Sequence, residues 1–474
     1  MKTDFTRNLG YSTLSPEQFE KLHFASLDIL NGIGVAVFND ESLALLQKAG
    51  ARVRDGKVFI PPWMVKAALA SAPSSIHVKN RSGKRAMTLE NGRSYYGTGS
   101  DTPFVYDLYT GEHRKAVKQD VVHAAVLCDA LPNIDFVMSM GLVSDVTTDK
   151  SYLHQFEAMV LHTEKPIVYT AENLRDMEKI YAIAAIAAGG EDKLQENQTI
   201  ILYDEPNSPL QHSAEALEKL LFCAEKRLPV IYAPAVMMGA TGPITPAGAI
   251  AQANAETLSG LVIHQLKAKG APFIAGGGAP PMDMRTMICS YGAPERDLTC
   301  TALVAMARYY DLPVFTTAGC SDAQSFDQQA GLEAGFNLLI SGLAGGNLIH
   351  DVGYIGVGLT ASMEALALCN DGIGMVRRLL RGVEVSDETL SLDLIEKVGP
   401  GGNYIMEDHT LKHFKQSIWQ PQLLNRMVYD NWKSGGALTF GERANQKVRD
   451  ILENYKGSTL SDSALSRIQA VTAQ

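Results

Sequence analysis

The sequence predicts an α/β chain, a (β/α)8 barrel of the TIM type with an N-terminal α+β cap and a C-terminal helical extension. Three observations carry that reading. Eight short apolar runs alternate with helical segments between residues 95 and 382, the signature of successive βα units and a parallel sheet. Most runs end on acidic, aromatic or glycine residues, where a barrel gathers its active-site loops. Outside that span the alternation stops, so the expected divisions are 1–94 for the cap, 95–382 for the barrel and 383–474 for the extension.

In the cap, Ser15-Pro16-Glu17-Gln18 reads as a capping box with proline in the first turn. It predicts a helix to about Asn31, with Phe19, Leu22, Ile29 and Leu30 on the buried stripe. Pro61-Pro62-Trp63 starts a short helix, and Asn91-Gly92 predicts a hairpin turn between Ala86–Leu89 and Ser94–Tyr96.

The predicted barrel strands are Tyr95–Gly99, Ile134–Met140, Pro166–Thr170, Thr199–Tyr203, Val230–Ala233, Phe273–Gly276, Val314–Thr317 and Leu348–Asp351. Helical segments are expected near 119–130, 149–163, 173–188, 213–227, 246–269, 297–310, 322–340 and 360–381. In the extension, Asp387–Val398 and Phe440–Tyr455 read as helices.

Composition bounds the function. Apolar residues make up 46 % and charged residues 20 % of 474, ordinary for a globular protein. The formal net charge of −10 disfavours phosphate backbones, so no nucleic acid is expected. The polar start, Met1-Lys2-Thr3-Asp4, shows neither a secretory signal nor a membrane span, which makes a cytoplasmic enzyme the default. The six cysteines lack CxxC spacing and read as free thiols, mostly in the core. Cys320 has no second cysteine or histidine at ligand spacing, and no metal site is expected. No Walker sequence or strand-linked G-x-G-x-x-G supports a nucleotide.

The strand ends suit a cation. Asp101, Glu172, Asp204, Glu205, Asp322 and Asp351 supply negative charge, and Tyr95, Tyr96, Tyr203 and Tyr354 supply π faces. A quaternary ammonium has no N–H to donate, so aromatic faces and diffuse charge are the means of holding it. The same acids could instead cap helices, and the tyrosines could pack between elements. The densest glycine stretch, Gly342–Gly358, holds six glycines around Leu348-Ile349 and the pair His350-Asp351. His350 could donate to a substrate carboxylate or meet a partner's cofactor, with Asp351 orienting it or facing solvent. Glycine-rich strand ends also suit a phosphosugar lyase or isomerase, although few Lys or Arg residues lie beside them. A binding protein without turnover is the non-enzyme alternative.

Several segments resemble, in order, the trimethylamine methyltransferase superfamily from about residue 10 to 455: NGIGV, YYGTGSDTPFVYD, YDEPNSPL, PAVMMGATGPITPAGA, TTAGCSDAQSFDQQAG and GLAGGNLIHDVGY. Founding members carry pyrrolysine near the seventh strand end. This sequence has only standard residues and is similar to the nonpyrrolysine branch, which directs expectation away from trimethylamine towards glycine betaine, proline betaine or carnitine. The resemblance implies methyl transfer to Co(I) of a corrinoid held by a separate small protein, since no D-x-H-x-x-G corrinoid motif occurs here. It implies His350 as the catalytic residue. Tyr95, Tyr96, Asp101, Glu172, Tyr203, Glu205, Asp322, Asp351 and Tyr354 are then the substrate-binding candidates. Gly345, Gly346 and Asn347 are the expected place of corrinoid approach. A homo-oligomer is the expected assembly.

Overall fold

The computed structural model describes residues 10–457 and 459–473. Eight parallel positions close into a barrel. They are β1 (Tyr95–Tyr96), β2 (136–137), β3 (Ile167–Tyr169), β4 (Ile200–Asp204), β5 (Val230–Tyr232), β6 (Phe273–Ala275), β7 (Phe315–Thr317) and β8 (Leu348–His350). Ladders join β3 to β4, β4 to β5, β5 to β6, and β7 to β8. Leu348 opposite Tyr95 and Ile349 opposite Tyr96 close the ring. The second position is paired by single bridges from Phe136 to Gly97 and from Val137 to Ile167, and a single bridge from Ala275 to Val314 joins β6 to the start of β7.

Each position leads to a helix on the outside: α1 (Lys118–Ala130), α2 (Ser151–His162), α3 (Leu174–Ala188), α4 (Ala214–Lys226), α5 (Pro246–Lys267), α6 (Pro294–Tyr309), α7 (Gln328–Ala344) and α8 (Met363–Leu380). α7 begins six residues later than predicted because Asp327 caps it, its carboxylate accepting from the Gln329 and Ala330 amides. The segment before it is a loop over the strand ends.

Alternation along each strand sorts side chains between two cores. Phe136, Val168, Ile201, Ile231, Ile274, Phe315 and Leu348 point into the barrel. Their neighbours Val137, Tyr169, Leu202, Val230 and Ile349 point out to the helices. The barrel's N-terminal end is closed by an antiparallel hairpin, Ile76–Lys79 with Arg85–Leu89, whose Ile76, Val78, Met87 and Leu89 join the interior cluster.

This hairpin corrects the expected one. A turn does fall at Asn91-Gly92, but the strand before it pairs backwards with 76–79, and the strand after it enters the barrel as β1. The pairing β8 offers Tyr95–Tyr96 wins over the local turn. The capping box at Ser15 is formed, and its helix runs Pro16–Asp28 before a π-turn at Ile29–Ile33. Leu22 and Leu30 are buried, with Phe19 and Ile29 packed beside them. The extension holds more helices than predicted, and Asp387–Val398 divides at Ser391, which takes the left-handed conformation.

Candidate active site

Inward positions at the C-terminal ends of the strands surround a cavity of about 120 Å3. β4 contributes Tyr203 and Glu205, β7 contributes Phe315 and Thr317, and β8 contributes His350 followed by Asp351. Tyr291 enters from the long excursion between β6 and α6, and Arg296 from the first turn of α6.

The rings form one wall. Phe315 stacks on His350 with centroids 4.0 Å apart, and Tyr203 leans on both at 5.3 and 6.0 Å. The Tyr203 hydroxyl donates to Glu205 Oε1. His350 Nε2 lies 3.0 Å from Thr317 Oγ1. Its Nδ1 lies 2.8 Å from Asp351 Oδ1, but out of alignment for a hydrogen bond, and has no other partner among the described residues. Asp351 takes φ 69°, which an aspartate tolerates better than most residues. Gly99 makes room for it: a Cβ there would overlap the Asp351 carboxylate and the Tyr354 ring.

Period two also separates the two acids at the end of β4. Asp204 turns outward to Lys219 on α4, 3.0 Å away, and Glu205 turns inward. Burial raises the Glu205 pKa, opposed by the Tyr203 hydrogen bond and the His350 charge. Burial likewise lifts Asp204 to about 6 despite Lys219, and Asp101 to about 6 against hydrogen bonds from Ser100, Thr170 and Gln155. Of the three, Glu205 lines the cavity, where a bound cation would favour its ionised form.

Of the residues predicted from sequence, His350, Tyr203, Glu205 and Asp351 line the cavity. Asp101 sits deeper, 3.4 Å from Thr170 Oγ1, and Tyr354 is buried with its hydroxyl on the Ser100 carbonyl at 2.6 Å. The others lie elsewhere. Tyr95 starts its strand and so sits inside the barrel's closed end, accepting from the Thr88 amide at 3.0 Å. Tyr96 points outward beneath Arg377. Glu172 is exposed. Asp322 is a positioning residue: its carboxylate accepts from Ser290 Oγ and, at 2.6 Å, from the Tyr291 amide.

Gly345, Gly346 and Asn347 precede β8 rather than follow it, which puts them at the opposite end from His350. Asn347 is buried there, donating to the Glu90 and Arg93 carbonyls at 2.7 and 2.8 Å and accepting from the Val314 amide at 2.9 Å. That stretch seals the barrel's closed end, so it serves neither corrinoid approach nor a phosphate site.

Tyr291, Arg296, Phe315 and Thr317 were not foreseen. Phe315 and Thr317 were legible from alternation along β7. The length of the β6–α6 excursion was the signal for Tyr291. The buried Arg296 guanidinium donates to the Tyr291 and Thr317 carbonyls and to Cys320 Sγ, pinning the excursion to β7. Tyr291 lies against Gly358, where any Cβ would overlap its ring. Among the described residues, no group of three or more His, Cys, Asp or Glu is placed to hold a metal ion, and no helix is long and apolar enough to cross a membrane.

Residues 4–474 match the family described as trimethylamine methyltransferase (MTTB). The chain belongs to the trimethylamine methyltransferase family. It is 32 % identical to a trimethylamine methyltransferase MttB of Desulfitobacterium hafniense (strain DSM 10664 / DCB-2), over 98 % of this chain and 94 % of that one. It is 29 % identical to a glycine betaine methyltransferase of Desulfitobacterium hafniense (strain Y51), over 98 % and 97 %. The solved monomethylamine methyltransferase MtmB of Methanosarcina barkeri shares the fold, with a TM-score of 0.51 at 13 % identity over 93 % of this chain and 89 % of that one. This member of the family is therefore a methyltransferase built on a barrel.

Proposed function

We propose that the enzyme removes a methyl group from a quaternary amine, glycine betaine first among them, and delivers it to a corrinoid carried by a separate protein. One observation carries the reading. The cavity at the C-terminal face joins three aromatic rings, Tyr203, Tyr291 and Phe315, to two carboxylates, Glu205 and Asp351. Rings and carboxylates together hold a cation that donates no hydrogen bonds. The relatives named for trimethylamine and for glycine betaine support an N-methylated substrate.

Within the cavity the rings would hold the N-methyl groups, and the buried carboxylates would set the charge. A betaine carboxylate would be met by the His350 imidazole in the cavity wall. Arg296 holds Tyr291 in place, and Tyr291 shields the cavity from water. A corrinoid, when presented, supplies the Co(I) nucleophile that accepts the methyl. Exposed Ile244 and Met284 lie on loops beyond β5 and β6, close to each other around Gly239, and suit contact with an apolar macrocycle or its carrier. The enzyme's own contribution is alignment of one N–CH3 bond towards the mouth in a dry, charged cavity.

The test is methylation of free cob(I)alamin with glycine betaine, proline betaine, carnitine and trimethylamine, with each product identified by mass. Glycine betaine is expected to give methylcobalamin and dimethylglycine. Absence of methylcobalamin with every quaternary amine overturns the reading.

A further inference from the structure

Between Arg381 and Gln422 no residue is buried. Yet the stretch folds into three helices, Asp387–Leu390, Leu392–Val398 and Asp408–Ser417. They are tied to one another by polar contacts. Ser391 Oγ lies 2.7 Å from His409 Nε2, Lys397 Nζ 2.6 Å from Glu407, and Lys412 Nζ 2.5 Å from Glu388. The stretch is fastened to α8 by Arg378 on the Ser417 carbonyl and Arg381 on the Gln416 carbonyl. Helices this short are unstable in water without an apolar face to bury, and this chain fully buries no residue of theirs.

The apolar faces are present and open. Eleven large apolar side chains in residues 383–418 are exposed, among them Ile405 at 75 %, Met406 at 92 % and Leu411 at 74 %. Together they present on the order of 1,000 Å2, beyond the roughly 300–600 Å2 of the largest patch on a typical monomer. That also exceeds the roughly 800 Å2 per partner of a stable interface.

Location decides what covers them. α8 runs away from the cavity: its last turns lie beside Gly342, where a Cβ would touch Tyr96, Val376 and Leu380. Arg377 pairs there with Asp135, ahead of β2. The arm therefore hangs at the closed end of the barrel. A partner that exchanges a group with the substrate must reach the mouth and leave again. Cover for the arm is needed at the other end, and permanently.

We propose that residues 383–418 form a self-association arm, closed in solution by a second copy of this chain. Sedimentation equilibrium of the full chain at micromolar concentration should give at least twice 51.3 kDa. The double variant Ile405→Glu, Met406→Glu changes side chains that touch little within one copy. It should fall to the single-chain mass, keep the barrel's cooperative unfolding and lose hydrogen-exchange protection across 383–418. Met284→Glu, 64 % exposed on the hairpin after β6, should leave the mass unchanged. A wild type at the single-chain mass, a double variant of unchanged mass, or a mass drop caused by Met284→Glu would each overturn the proposal.

Discussion

The two ends of the barrel are built from the same strands and do opposite things. At the N-terminal end the inward positions meet the hairpin of Ile76, Val78, Met87 and Leu89, and the space is filled. At the C-terminal end the inward positions two to four residues further along are Tyr203, Glu205, Thr317 and His350, and a cavity remains. The Gly342–Gly358 stretch spans both. Gly345 to Asn347 seal the closed end, and His350 onward forms the open one. Stability and chemistry are thus separated along one axis, and conservative changes at each end should affect different measurements.

The largest effect is expected from Leu89→Ala, which removes a fully buried side chain from the plug. It should cost about 2–5 kcal/mol in denaturant unfolding, with turnover per folded molecule unchanged; a matching loss of turnover would break the separation. His350→Ala at the other end should lower methyl transfer by about a hundredfold, roughly 3 kcal/mol, while its unfolding midpoint stays close to wild type.

Acidity should split the ends further. Burial lifts Asp101 to about 6 from an ordinary 3.8, so the fold binds its proton more tightly than the unfolded chain does. Asp101 therefore opposes folding at neutral pH, and that penalty, up to about 3 kcal/mol, is relieved as pH falls through 6 towards 4. Affinity for a cationic substrate should fall over the same range, because the nearby carboxylates become neutral. Unfolding curves for wild type and Asp101→Asn between pH 7 and 4 would check the stability limb, which the variant should show reduced, Asp204 with its pKa near 6 keeping a share of it. Asn347→Ala should cost about 1–3 kcal/mol by removing three hydrogen bonds to buried backbone groups, again without loss of transfer; reduced transfer would return this residue to the active site.

Much of this arrangement was legible in the sequence. Buried parallel strands read as apolar runs, so all eight positions could be placed, and Ser15 with Gln18 fixed the first helix by local chemistry alone. The failures have physical causes. Asn91-Gly92 specifies a turn but not the partner of the strand that follows, and β8 competes successfully for Tyr95. Strand polarity already assigns Gly345–Asn347 to the closed end, and period two already turns Tyr96 and Asp204 outward. Arg296 carries no local signal: its importance lies in bonds to Thr317 and Cys320, more than twenty residues away.

The central claim is that the mouth cavity holds a quaternary ammonium between rings and carboxylates. Isothermal titration calorimetry of glycine betaine against the wild type and Glu205→Gln tests it most directly. The account predicts saturable binding by the wild type, weakened at least tenfold in the variant while its fold is intact. Equal affinity in the two proteins would contradict it.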